Sequence, residues 1–179
     1  MRESVRFAAS FLSLVLALPC AAQQAPAFAL VNATDGATVS MQPTVGNLKV
    51  VFFTSVRCPD ARAFEQRMFE IAQRFQQKGV RFYAVDAAGE SLAEMKARAV
   101  AEDYPYPFLQ DDGRVAKAYG VRALPEAFVI DDAGMIRYHG FIDDAPVNRT
   151  QTALTDAINA LLSGREVPKS ETVASGCVK

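Results

Sequence analysis

Cys58 stands where an apolar, strand-like run over residues 49–55 gives way through Val56 and Arg57 to a helix-like run opening Cys58-Pro59-Asp60-Ala61. Unpaired backbone N–H groups at a helix N-terminus carry partial positive charge, so a thiol there is held toward its thiolate. Arg57 and Arg62 add cationic neighbours. Pro59 in the first helical turn forfeits only an N–H that has no partner in any case, so the helix start is well specified. A thiolate so placed attacks a disulfide sulfur to give a mixed disulfide, or a peroxide oxygen to give a sulfenic acid. Either adduct must be resolved by a second thiol, and Cys177 is the one internal candidate. The competing readings are a buried, inert Cys58 and a Cys177 that dangles or bonds another molecule. Ser55, three residues before Cys58, is placed to donate a hydrogen bond to the thiolate or to satisfy local backbone.

The first 22 residues have the pattern of an export signal: Arg2 and Arg6, an apolar stretch from Phe7 to Leu18, then Pro19-Cys20-Ala21-Ala22. Cleavage is expected after Ala22, discarding Cys20 and leaving a periplasmic or secreted protein. The apolar core of that leader is about a dozen residues, short of the roughly 18 to 20 of a membrane span. No other stretch is long enough, so no stable membrane span is expected. The formal net charge of −1 is built from 19 basic and 20 acidic residues without a Lys/Arg run, which argues against a nucleic-acid partner. In an oxidising compartment, Cys58 and Cys177 suffice for one bridge. The sole histidine, His139, lies far in sequence from both thiols; it is read as structural, and no metal is expected.

The elements that must position these residues follow from turn signals and periodicity. Two short apolar stretches from Phe28 to Met41 flank Asp35-Gly36, predicting an N-terminal β-hairpin with a two-residue turn. Beyond Cys58, Phe64, Met68, Ile71, Ala72 and Phe75 recur at helical spacing up to Gly79. Residues 80–86 read as a strand, and Ser91-Leu92-Ala93-Glu94 is a capping-box start for a helix to about Asp103. Past Tyr104-Pro105-Tyr106-Pro107 the chain runs through Phe108 and Leu109 to a turn at Asp111-Asp112-Gly113 and a short helix over 114–119. Strands over 127–130 and 135–139 join across Asp131–Gly134, and a last helix carries Leu154, Ile158, Leu161 and Leu162 to its stop at Gly164. Residues 23–164 are thus one domain, and residues 165–179 read as a loose, flexible tail. Strand–helix–strand–helix followed by an antiparallel pair and a closing helix requires an α/β arrangement, a mixed central sheet with helices on both faces.

Three features carry a family resemblance: Cys58 between the first core strand and a long helix; Val115–Val121 leading to Ala123-Leu124-Pro125-Glu126; and Phe128-Val129-Ile130-Asp131 with Gly134. Over about residues 26–163 the chain resembles the thioredoxin-like, three-layer fold of the redoxin (AhpC/TSA, peroxiredoxin-like) family. It is most similar to a peroxiredoxin-like group with one helix-start cysteine and a second near the C-terminus. The resemblance implies that Pro125 is cis and lies beside the reactive cysteine. The backbone of Leu124 would then face the Cys58 sulfur and leave an edge for an extended substrate. It also implies thiol chemistry without a cofactor, on a thiol or disulfide protein, a small thiol or a hydroperoxide. Arg57 and Glu126 are candidate substrate contacts, Glu126 as a proton shuttle or else simply a solvated acid.

The departures are specific. A dithiol active site has a second cysteine three residues on, where this chain has Ala61; thioredoxin keeps a buried acid where this chain has Phe52. The peroxidase motif places a hydroxyl at Ser55 but a proline where Val51 stands, and its arginine has a candidate in Arg122. Copper-delivery members carry a second cysteine where Arg62 stands, consistent with no metal. The leading expectation is an exported thiol oxidoreductase with Cys58 as nucleophile. The alternatives are a thiol peroxidase and a non-catalytic binding protein on the same fold.

Overall fold

The structure, a computed structural model, describes residues 23–178. The leader, Cys20 and the expected cleavage after Ala22 lie outside the described residues. Chain order begins with β1 (Phe28–Asn32), β2 (Thr38–Met41), β3 (Lys49–Thr54), α1 (Pro59–Ala63), α2 (Glu65–Gln76), β4 (Arg81–Asp86) and α3 (Leu92–Ala101). It continues with β5 (Phe108–Gln110), α4 (Arg114–Tyr119), β6 (Ala123–Leu124), β7 (Glu126–Ile130), β8 (Ile136–Gly140), α5 (Ala153–Leu162) and β9 (Cys177–Val178). Seven strands form one sheet in the order β2-β1-β5-β4-β3-β7-β8, and β6 pairs with β9 apart from it. Strands β3, β4 and β5 are parallel to one another; the remaining pairings are antiparallel. This is the mixed sheet anticipated.

Strand alternation decides which side chains meet which helices. Val50, Phe52, Phe82, Ala84, Ala127 and Val129 face α2, α3 and α5. Val51, Phe53, Tyr83, Val85, Phe128 and Ile130 face α1 and α4. A strand buried on both faces needs an unbroken apolar run, and every residue of β3 is buried. Even Lys49 is 1 % exposed; its ammonium donates to the carbonyls of Pro43 and Asn47 at 2.8 and 2.9 Å.

Local signals set most boundaries. Ser91 caps α3 through a reciprocal capping box with Glu94, and Gly120, in the left-handed region at φ 70°, ends α4. The long helix expected after Cys58 is interrupted at Phe64, whose N–H turns back to Ala61 O at 3.1 Å. The two pieces answer to different faces of the sheet: α1 buries Ala61 on one, α2 buries Met68, Ile71, Ala72 and Phe75 on the other. The first hairpin also departs from expectation. Its last strand pair is Val31 with Thr38, and the Asp35 carboxylate accepts from Asn32 Nδ2 and Ala37 N across a loop wider than two residues.

The C-terminal tail corrects the sequence reading most. Rather than hanging loose, it runs along β8, where Thr172 N donates to His139 O, and ends as β9 on β6. Thr172 and Ala174 are buried. Thr172 Oγ1 meets the Tyr138 hydroxyl at 2.8 Å and accepts from Phe141 N at 3.0 Å, so a polar segment is seated by hydrogen bonds rather than by apolar burial.

Candidate active site

Cys58 is the N-cap of α1. Its backbone is extended (φ −77°, ψ 116°), Pro59 occupies the first turn, and Sγ accepts from Ala61 N at 3.4 Å. The sulfur therefore sits on the positive end of a helix turn. The loop before it is fixed from behind. Ser55 Oγ accepts from the backbone N–H of both Arg57 and Cys58 at 3.1 Å, and its own proton goes to Glu90 Oε1. In the disulfide-bonded protein the serine thus holds the cysteine's amide.

Glu90 is supported in turn by Asp86, at the end of β4. Asp86 Oδ1 accepts from Ala88 N and Oδ2 from Glu90 N, both at 2.9 Å. Both acids are buried. Burial and then the neighbouring Glu90 push the Asp86 carboxyl up to about 7. Burial opposes ionisation of Glu90 too, but hydrogen bonds from Asp86, Ser55 and the Arg57 amide outweigh it and hold Glu90 below the usual range. Apart from the neighbouring Asp86 carboxyl, Glu90 Oε2 has no partner among the described residues.

The opposite wall is the cis peptide Leu124–Pro125, which brings Leu124 O within 3.6 Å of Cys58 Sγ. Along this wall lies β9, antiparallel to β6, with Ala123 opposite Val178 and Leu124 opposite Cys177. Cys58 and Cys177 are joined in a disulfide across 119 residues, with Cα atoms 6.1 Å apart, inside the ordinary span of such a bond. The Cys177 sulfur also lies 3.9 Å from Asp60 Oδ2. Beside the bridge is a shallow cavity of about 420 Å³ bordered by Arg57, Ala87, Ala88, Leu124 and Val178. Cys58 itself is 4 % exposed and Cys177 half-buried, so an incoming thiol meets the tail sulfur more openly.

Of the residues singled out from sequence, Cys58, Cys177, Leu124 and Pro125 converge, and Ser55 lines the same cavity while holding the Cys58 amide. Two do not take the places expected. The Arg57 side chain borders the cavity but points its guanidinium at Glu94, with contacts of 2.7 and 2.8 Å. Glu126 is not a solvated acid: it is fully buried, accepting from Arg122 N at 2.8 Å, with His139 Nδ1 3.6 Å away. The register explains this, since Glu126 lies in β7 opposite Phe53 of the central strand. Arg122, the candidate peroxidase arginine, is held by Glu126 and by Glu171 of the tail. His139 stacks on Phe128 with ring planes 13° apart and stands among Arg122, Glu126 and Glu171. Sequence reasoning missed Asp86, Glu90 and Asp60; the only trace of Glu90 was its place one residue before a helix cap.

Comparison with known proteins agrees with this layout. The AhpC/TSA family pattern matches residues 21–139. The thiol:disulfide interchange protein DsbE of Allochromatium vinosum is 25 % identical over 121 residues, 67 % of this chain and 66 % of that protein; the chain spans about two thirds of the length of the curated relatives it matches. An uncharacterized conserved protein from Geobacillus kaustophilus superimposes with a TM-score of 0.81 at 30 % identity, covering 88 % of this chain and 89 % of that one. A thioredoxin-family thiol:disulfide interchange protein from Chlorobium tepidum TLS shares the fold, with a TM-score of 0.64 at 22 % identity over 79 % of this chain and 96 % of its own. The fold is thioredoxin-like, and because the matched segment takes in both Cys58 and the cis-proline turn, the chain belongs to the AhpC/TSA family.

Proposed function

We propose that the protein is an exported thiol:disulfide oxidoreductase in which Cys58 is the nucleophile and Cys177 the resolving thiol. The observation that carries this reading is the bond between them, made by a tail strand laid on the backbone edge beside the cis-proline. In the reduced protein the Cys58 thiolate attacks one sulfur of a substrate disulfide. A Cys58–substrate bond forms, the substrate S–S bond breaks, and the departing thiolate takes a proton from solvent. Cys177, as thiolate, then attacks Cys58 Sγ, the second substrate thiol leaves, and the protein ends as the Cys58–Cys177 disulfide. Run backward, the same two exchanges oxidise a dithiol. No cofactor enters either step.

The partner class is a thiol or disulfide protein, in keeping with relatives named as thiol:disulfide interchange proteins and thiol-disulfide oxidoreductases. Export rests on the charged-then-apolar pattern of the first 22 residues, and among the described residues no helix is long and apolar enough to cross a membrane. The peroxidase alternative is less well served. The Ser55 hydroxyl is spent on Glu90, and the guanidiniums of Arg57 and Arg122 are held by Glu94, Glu126 and Glu171 rather than aimed at the sulfur.

Single-turnover mixing of the reduced protein with a disulfide-bonded polypeptide tests the assignment. Wild type is expected to release two substrate thiols, Cys177→Ser to stop at a stable mixed disulfide, and Cys58→Ser to do nothing. Exchange surviving in Cys58→Ser would discard the proposal. Faster consumption of hydrogen peroxide than of any disulfide would move the assignment to the peroxidase.

A further inference from the structure

Two positions in the tail are shaped by the surface beneath them, and one of them describes what else that surface can hold. The β6 edge is two residues long, ending at the cis-proline, and offers pairing positions only opposite Ala123 and Leu124. Cys177 takes the second. The residue before it, Gly176, then lies directly against the Leu124 carbonyl with φ 149°, a conformation L side chains rarely adopt. A Cβ at that position would overlap the carbonyl oxygen and carbon of Leu124 and stand 3.4 Å from Asp60 Cβ. The obstacle is backbone, with no side chain to swing aside, and the same carbonyl is 3.6 Å from Cys58 Sγ. The residue after the cysteine meets no such restriction, since Val178 is 88 % exposed.

On the reading that Cys58 attacks disulfides, we propose that this edge selects polypeptide disulfides whose attacked cysteine directly follows a glycine. A chain that delivers its sulfur to Cys58 along β6 in the tail's direction brings its preceding residue to the place Gly176 occupies. The tail is then a built-in example of the substrate, with small residue, cysteine, and a free following position. Tail and substrate need the same two pairing positions, so they bind in turn. The incoming strand holds the edge while Cys58 exchanges into its disulfide, breaking the substrate S–S bond and releasing the partner chain as a thiolate that is protonated by water. The tail must then displace that strand for Cys177 to attack Cys58 Sγ and free the second substrate thiol. What lets the tail win is its upstream anchor, Thr172 on Gly140, which a foreign strand lacks. Gly140, at φ 142°, admits Thr172 as Leu124 admits Gly176: a Cβ there would overlap the threonine.

The test uses reduced, full-length Cys177→Ser protein and two disulfide-linked peptide dimers, Ala-Ser-Gly-Cys-Val-Lys and Ala-Ser-Ala-Cys-Val-Lys, with a small aromatic disulfide as control. Mixed-disulfide formation is followed by intact mass. The glycine peptide is expected to react about tenfold faster or more, the factor that forcing a side chain into such a backbone conformation carries. In an otherwise intact chain, Gly176→Ala should slow closure onto Cys58 by a similar factor. Equal rates for the two peptides, with a normal rate for the aromatic disulfide, would overturn the glycine rule and leave the oxidoreductase reading in place. Failure of all three disulfides to react would overturn that reading, and the rule with it.

Discussion

At the scale of single residues, the sulfur is held by partners of two kinds, and the sequence shows only one of them. The helix-start position of Cys58 is local information, carried by an apolar run, a proline and a change of period within about ten residues. The support behind it is not local: Ser55 and Glu90 are 35 residues apart, and Glu90 leans on Asp86. A carboxyl raised to about 7 beside one held low makes stability depend on pH in a definable way. Between about pH 4 and 7 the unfolded chain has lost the Asp86 proton while the folded chain keeps it, so stability should fall as pH rises through that window and level off above it. Glu90 acts in the opposite sense, its contribution present above its ordinary range and lost on acidification below it. Urea unfolding of the oxidised protein from pH 5 to 7.5 should show a decline of at least about 1 kcal/mol, and Asp86→Asn should reduce the slope. An unchanged slope in Asp86→Asn would assign the decline to other groups.

At the scale of elements, the central strands and most helices were readable because each buries a face with a fixed period. The pieces that escaped are short. Strands β6 and β9 have two residues each, too few for alternation to register, and both are defined by what they pair with. The tail misled for a related reason. Its composition is that of a loop, and its seating depends on hydrogen bonds from Thr172 and on the glycine at position 140, whose role is visible only once β8 and the tail lie side by side. Burial of Glu126 was hidden similarly, since a charged residue next to a proline gives no sign that Arg122 and His139 will enclose it. If the disulfide locks the tail, backbone amide exchange at Thr172 and in β9 should be protected in the oxidised protein. It should quicken about tenfold or more on reduction, with β3 unaffected. Equal exchange in both states would show a tail seated independently of the bridge.

Over the whole molecule, the reactive sulfur stands just past the carboxyl end of β3, where open α/β sheets place their sites. The seven-stranded sheet and its two helical layers position Cys58 and the cis-proline turn, and residues 165–178 return to them from across β8. Sequence patterning gave the α/β class and the placement of Cys58, whereas the meeting of two thiols 119 residues apart required the fold. The proposed function therefore requires those two sulfurs to exchange electrons as a pair. The most direct test is to equilibrate the fully reduced protein with a substrate disulfide, quench with acid, alkylate, and map the peptides without reduction. Oxidised molecules are expected to lose two hydrogens together and to yield a single cross-linked peptide pair containing Cys58 and Cys177. Oxidation that leaves Cys177 alkylated while Cys58 remains joined to substrate, or that spares Cys58 altogether, would contradict it.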